Sequence, residues 1–421
     1  MKKTSMLILV LFCSILFAQE NSTSVELGTH FSFKSKVLNE ERSVSIFLPA
    51  SYHLNKEARY PVVYMVDGDY NFFHLAGLTE QLSSISERIP EMIVVAISDK
   101  GHKNYLKNMT PTDLNNPKGE KSGRANKLIE FLEKDLKPLI ANKYRTAPFD
   151  ILMGHSVGGL FAVTVLTEKP ELFNAYVAIS PSIWWNETYL VERAENVFEK
   201  KLKYNNQLIV TLGNEQGMKV EEYLALLEKF SPEGLTHIYK HFPDESHNSV
   251  GLKSMEFAFY EIFKNWEFNS VTFAPTQIRT YVDSYNKFSE KLGYKVTLPP
   301  TFVFYSAYSL AQADAQNELD QFRSAIVNFF PSSLQDYYFK LGDVYRRLGK
   351  LKKAEKTLLE GLKKYPESMN IKHTLGLVYE GKNEILSSRK YLNDALNLGK
   401  KLKVRRWMMN FLEADFERVY K

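Results

Sequence analysis

The strongest chemical signal in this 421-residue chain is Gly154-His155-Ser156-Val157-Gly158-Gly159. An apolar run, FDILM, precedes it and a helix-forming run, LFAVTVL, follows. That is the strand–turn–helix setting of a nucleophile elbow, in which a strained turn lifts a serine hydroxyl above the end of a sheet. Only glycines at the flanking positions leave room for the neighbouring strand and helix. Ser156 is therefore the expected nucleophile, beside a helix N-terminus whose free amides and dipole favour a developing negative charge. One oxyanion-hole amide is expected from Val157, directly after the nucleophile. The second is expected from the loop Val66-Asp67-Gly68-Asp69-Tyr70 that follows PVVYM, with Asp69 as the donor.

A serine nucleophile needs a base, and the base needs an acid. Chains with this elbow run in the order Ser, acid, His. Of the nine histidines, His237, His241 and His247 follow Ser156 in the same region. His237 and His241 read as strand residues within THIYKHF, whereas His247 lies in the loop PDESHNS at a strand's C-terminal end. His247 is the expected base. The acid should close the preceding strand, QLIVTLG, which makes Glu215 the first choice, with Glu222 and Glu221 at the start of a helix as alternatives. Asp244 reads as a loop residue. The loop Ser180-Pro181-Ser182-Ile183-Trp184-Trp185 belongs at the same sheet edge. Trp184, Trp185 and Tyr70 are candidate substrate contacts, with aromatic packing inside the loop equally open to the two tryptophans. Histidines and carboxylates show no metal-ligand spacing such as HExxH, and no Gly-rich phosphate loop is present, so no metal and no cofactor is expected.

These side chains need elements to hold them. Strand-like runs fall at Ser43–Leu48, Pro61–Asp67, Met92–Ser98, Phe149–Met153, Ala175–Ser180, Gln207–Leu212 and Thr236–Phe242. Several are continuous runs of Val, Ile and Leu, as expected for strands covered on both faces. Helix-like runs lie between them at 123–142, 158–168, 220–229 and 250–265. This alternation predicts an α/β domain with a mostly parallel sheet. After Pro299 the pattern changes to a 34-residue period. Leu341, Gly342, Tyr345, Ala354 and Pro366 are followed in register by Leu375, Gly376, Tyr379 and Ser388, and then Ala395. Those are the small and aromatic positions of a tetratricopeptide (TPR) helix pair. Residues 301–331 read as a degenerate earlier repeat with Tyr308 and Ala311, and the stretch from Val404, with Trp407 and Phe411, as a capping helix. The expected organisation is a signal peptide at 1–19, a catalytic domain at 20–267, a polar linker at 268–300 and a TPR-like helical domain at 301–421.

Composition bounds the rest. With 44% hydrophobic and 24% charged residues, disordered and collagen-like chains are excluded. A lone cysteine, Cys13, excludes an intramolecular disulfide and a Cys-based zinc site. It sits in the leader MKKTSMLILVLFCSILFAQE, whose apolar centre of twelve residues rises about 18 Å as a helix, too short for the roughly 30 Å core of a bilayer. A basic start, a short apolar centre and a small residue at Ala18 describe a secretory signal peptide. Its removal takes Cys13 with it and sends the mature chain to the periplasm or the exterior. Charge is unevenly divided: from Phe268 onward 25 Lys/Arg face 16 Asp/Glu, or +9, leaving the mature part before it at −6. The basic residues are spread along helices rather than clustered, so no nucleic-acid partner is implied.

YPVVYMVDGDYNF, FLEKDLKPLIANKY, GHSVGGLFA, PELFNAYVAISPSIWW and PDESH together resemble the esterase family of α/β-hydrolases that includes enterochelin esterases, S-formylglutathione hydrolases, feruloyl esterases and mycolyltransferases. The resemblance spans nearly all of 25–267, and SPSIWW looks most like the siderophore-esterase branch. Joined to a TPR-like region, the chain is similar to a group of exported bacterial esterases. The resemblance implies an α/β-hydrolase fold and ester hydrolysis by Ser156 and His247, with an oxyanion hole at Asp69 and Val157. It departs from many relatives after the strand VVAIS, where Lys100, His102, Lys103 and Lys107 stand in place of arginines. The expectation is an exported serine esterase working through an acyl-enzyme on siderophore or acyl-sugar esters, without a membrane span in the mature chain. The TPR-like region would bind a protein partner or shape the active-site entrance. Two other readings are a catalytically idle scaffold acting through the TPR-like region, and an acyltransferase.

Overall fold

The computed structural model describes residues 25–113 and 122–420; the expected signal peptide lies outside the described residues. Eight strands form one sheet: β1 (Thr29–Lys34), β2 (Glu41–Phe47), β3 (Tyr60–Met65), β4 (Ile93–Ile97), β5 (Thr146–His155), β6 (Ala175–Ile179), β7 (Asn206–Leu212) and β8 (Leu235–His241). Their order is β1-β2-β4-β3-β5-β6-β7-β8. β1 and β2 are antiparallel to their neighbours, and the six from β4 to β8 are mutually parallel. The sheet is thus the mostly parallel one that the apolar runs imply. β1 was not among the expected strands: it is an edge strand whose residues are exposed or half-buried, so it lacks the continuous apolar run of a central strand.

The connecting helices are α1 (Gly68–Glu80), α2 (His102–Met109), α3 (Ala125–Phe131), α4 (Lys137–Lys143), α5 (Val157–Glu168), α6 (Tyr189–Phe198), α7 (Val220–Phe230) and α8 (Val250–Ile262). Successive strand residues point to opposite faces. Val63, Met65, Ile151, Met153 and Val177 pack with α1 and α8. Val62, Tyr64, Leu152, Tyr176 and Val210 pack with α3 to α7.

Beyond α8 the chain is helical: α9 (Ile278–Leu292), α10 (Pro300–Gln312), α11 (Gln316–Phe329), α12 (Leu334–Arg347), α13 (Leu351–Lys364), α14 (Met369–Gly381), α15 (Ile385–Leu402) and α16 (Arg406–Tyr420). Small residues let helix pairs close up: a Cβ on Gly342 would stand 2.4 Å from Leu358, and one on Gly376 2.6 Å from Leu392. The stretch expected as a linker holds α9, whose Val282, Tyr285, Phe288 and Leu292 are buried, with Tyr285 and Phe288 against Trp266. One apolar cluster runs without a break from the α1/α8 face of the sheet through α9 to α14. Polar ties reinforce it. Arg405 grips Glu80 with two hydrogen bonds (2.9 and 3.0 Å) and donates to Leu48 O at 2.8 Å, while Asn55 donates to Ser332 O at 2.7 Å. Leu48 and Asn55 lie between β2 and β3, and Glu80 ends α1, so the outer helices dock at the N-terminal edge of the parallel strands. Ser156 lies at the opposite edge.

Candidate active site

β5 ends at His155 and α5 begins at Val157, so Ser156 makes the turn, with φ 60° and ψ −116°. A left-handed φ costs a residue with a Cβ about 1–3 kcal/mol and persists only where the surroundings enforce it. The Ser156 amide donates to Ile179 O at the end of β6 (2.9 Å), and its carbonyl accepts from Ser182 and Leu160 (3.1 and 3.0 Å). A Cβ on Gly154 would stand 2.2 Å from Gly158 O, and one on Gly159 2.9 Å from Ile179 O. The glycine spacing is a packing requirement of the turn.

Two residues that sequence reasoning did not single out brace this turn. Asp67 Oδ2 accepts from the His155 amide at 2.9 Å. Tyr105 donates its hydroxyl proton to His155 O at 2.9 Å and accepts from the Gly158 amide at 3.0 Å. Burial pushes the Asp67 carboxyl up to about 7, the His155 amide opposing only in part, and its Oδ1 has no hydrogen-bond partner. Neither residue carries a local signal, because each reaches the elbow from a segment that follows another strand, Asp67 after β3 and Tyr105 from α2 after β4.

β7 delivers Glu215, and the loop after β8 delivers His247. Their side chains meet: His247 Nδ1 lies 3.1 Å from Glu215 Oε1. Burial disfavours the Glu215 charge, but hydrogen bonds with Ser180, its own backbone amide and His247 outweigh burial and hold it below its ordinary value. The loops are pinned together, since the Asn214 amide donates to Glu245 O at 2.7 Å. Glu221 and Glu222 sit in the first turn of α7, exposed, without a hydrogen bond to His247. His237 and His241 remain in β8, and Asp244 stays in the exposed loop. The His247 ring also packs on His155, with centroids 4.7 Å apart. Burial first, and the positive charge His247 can carry second, lower His155 to about 4, so it is a neutral platform. The Ser156 hydroxyl contacts Ser182 Oγ at 3.4 Å, and the structure records no hydrogen bond from Ser156 to His247. Such bonds commonly tighten only when substrate is bound.

Val157 opens α5, and Asp69 lies in the first turn of α1, so both amides belong to first turns that lack an intrahelical acceptor. The Asp69 carboxylate accepts from Ser98 Oγ at 2.9 Å and from the Asp99 amide at 3.1 Å, which fixes the start of α1 against the end of β4. Burial and the neighbouring Asp69 push Asp99 up to about 8. At the rim, Tyr70 and Trp184 are exposed. Trp185 is not: it is buried, and its indole N–H donates to Thr112 O at 3.4 Å. Its part is packing, and Trp184 is the tryptophan that presents a ring.

A helix-flanked, mostly parallel sheet with a strained serine elbow on its central strand defines an α/β-hydrolase fold. The family model described as Putative esterase matches residues 35–228, a span that holds Asp69, the elbow and Glu215 but stops short of His247. The chain is 30% identical over 244 residues to the ferri-bacillibactin esterase BesA of Bacillus subtilis, covering 50% of this chain and 82% of that protein. It is 29% identical over 167 residues to a siderophore triacetylfusarinine C esterase of Aspergillus fumigatus, covering 37% of this chain and 56% of that one. Among solved structures, an IroE-like serine hydrolase from Shewanella oneidensis superposes with a TM-score of 0.61 at 27% identity, over 72% of this chain and 99% of that one. The protein belongs to this esterase family. Among the described residues no helix is long and apolar enough to cross a membrane.

Proposed function

We propose that the protein is an exported serine esterase that cleaves carboxylic esters of siderophores through an acyl-enzyme. The observation that carries this reading is the Glu215–His247 pair at 3.1 Å, its imidazole packed on His155, the residue before a serine held at φ 60° at the N-terminus of α5. In this reading Ser156 Oγ attacks the ester carbonyl carbon as His247 takes its proton. The oxyanion formed is held by the amides of Val157 and Asp69. His247 then returns the proton to the departing alcohol, and water repeats the sequence on the acyl-enzyme to release the acid. Glu215 keeps the imidazole in the tautomer that leaves Nε2 free to accept, and stabilises its charged form.

Siderophore esters are favoured because the two curated relatives just named are a ferri-bacillibactin esterase and a siderophore triacetylfusarinine C esterase. The exposed Tyr70 and Trp184 and the cations of the 100–107 segment also suit an aromatic, anionic ligand. Export rests on the leader at 1–19. For the helical region we propose partner docking rather than gating, since it meets the sheet at the edge remote from Ser156. A groove of about 680 Å³ there is lined by Phe339, His373, Trp407 and Phe411 among others.

Purified protein is expected to release nitrophenol from p-nitrophenyl acetate, and Ser156→Ala to abolish that release. Unchanged activity in the alanine variant refutes the reading. A panel of ferric catecholate, feruloyl, acetyl-sugar and short acyl esters ranks the substrates.

A further inference from the structure

Tyr105 stands in α2, on the segment that follows β4, and nothing in its local sequence marks it. In the fold its hydroxyl hydrogen-bonds the backbone on both sides of Ser156. It donates to His155 O at 2.9 Å and accepts from the Gly158 amide at 3.0 Å. The chain between those two groups is the elbow itself, so the phenol closes a ring around the strained turn. Burial, reinforced by the nearby Asp67 carboxylate, raises the hydroxyl well above its ordinary value, so it keeps its proton across the working pH range.

We propose that Tyr105 is a positioning residue for Ser156, a reading that rests on Ser156 being the nucleophile. Two consequences follow from the geometry. The bond to His155 O fixes the peptide plane through which the chain enters the φ 60° turn. The bond from Gly158 N–H ties the first turn of α5 to the same hydroxyl, so the chain is held as it leaves the turn as well as where it enters. The phenol therefore sets the direction of the Ser156 hydroxyl. Without it two backbone groups lose their partners, and the strained turn can relax toward ordinary backbone angles. Displacements of about 1 Å at a reacting group cost on the order of 100-fold in rate.

The test is Tyr105→Phe, which keeps the ring and removes only the hydroxyl. Kinetics on p-nitrophenyl acetate are run with wild type, Tyr105→Phe and Ser156→Ala. Alongside them, the rate of covalent labelling by a fluorophosphonate is read by intact mass on the folded fraction, so partial unfolding does not mask the result. The expected result is a fivefold or greater fall in both kcat and labelling rate, with KM within about twofold and the pH profile lowered without displacement. A smaller fall in the folded fraction overturns the proposal, as does a loss confined to KM. Labelling of Ser156→Ala at the wild-type rate overturns instead the assignment of the nucleophile, which separates the two failures.

Discussion

Replacing Glu215 by Gln separates the three carboxylates that compete for the role of acid. The side chain stays isosteric, so the loop pinned by Asn214 and Glu245 keeps its shape, and what changes is charge and donor pattern. Glu215 is 14% exposed and His247 32% exposed, with 3.1 Å between them, so the interaction is partly shielded from water. A hydrogen bond to a charged group in such a setting contributes about 1.5–3 kcal/mol, and losing it slows turnover by about 10- to 150-fold. If the Gln amide turns its NH2 toward Nδ1, the imidazole adopts the other tautomer and can no longer accept from Ser156. The loss then approaches about 10⁴-fold. The expected kcat/KM on p-nitrophenyl acetate therefore falls between these limits. Glu222→Gln and Glu221→Gln, exposed on α7, stay within about twofold of wild type. The assignment is refuted if Glu215→Gln keeps activity within threefold while either α7 variant loses it.

Two further outcomes concern the supports. Asp67 is held near 7 rather than 3.8, so its contribution to stability is fully present below pH 3.8 and is lost as pH rises through 7, a difference on the order of 4 kcal/mol. Asp67→Asn is expected to flatten the decline in stability between pH 5 and pH 8, read from denaturant midpoints of both proteins; equal slopes count against the buried carboxyl. Arg405→Met removes the two-pronged bond to Glu80 across the seam between sheet and outer helices. With the pair 26% and 19% exposed, the loss is about 1–3 kcal/mol, less than for a fully buried pair, and lowers the melting temperature by a few degrees with kcat unchanged. An altered kcat would contradict the placement of the helical region away from Ser156.

How far the residues themselves speak depends on the range of the physics involved. The elbow is legible because its constraint is local: Gly154 and Gly158 are four residues apart and would collide in such a turn if they carried side chains, so the spacing alone announces the turn at Ser156. The central strands are legible because burial on both faces writes a continuous apolar run. His247 and Glu215 could be nominated from chain order and strand ends, but only the fold brings them to 3.1 Å and leaves Glu221 and Glu222 on the surface of α7. The segment 268–300 was misleading because prolines at both ends and a polar composition conceal the stripe of Val282, Tyr285, Phe288 and Leu292.

The sequence by itself determined the type of chemistry, the mostly parallel sheet and the presence of paired helices, since each rests on spacing along a few turns or one strand. Tertiary structure alone decided which distant groups close around Ser156. Asp67 arrives from the end of β3, Tyr105 from α2 and Ser182 from the end of β6, and no local pattern encodes which loops share a sheet edge. It also decided that Trp185 packs while Trp184 faces out, and that the outer helices dock at the edge remote from Ser156. Burial of apolar surface has no direction along the chain, so only the assembled faces of α1, α8 and α9 could set where those helices lie.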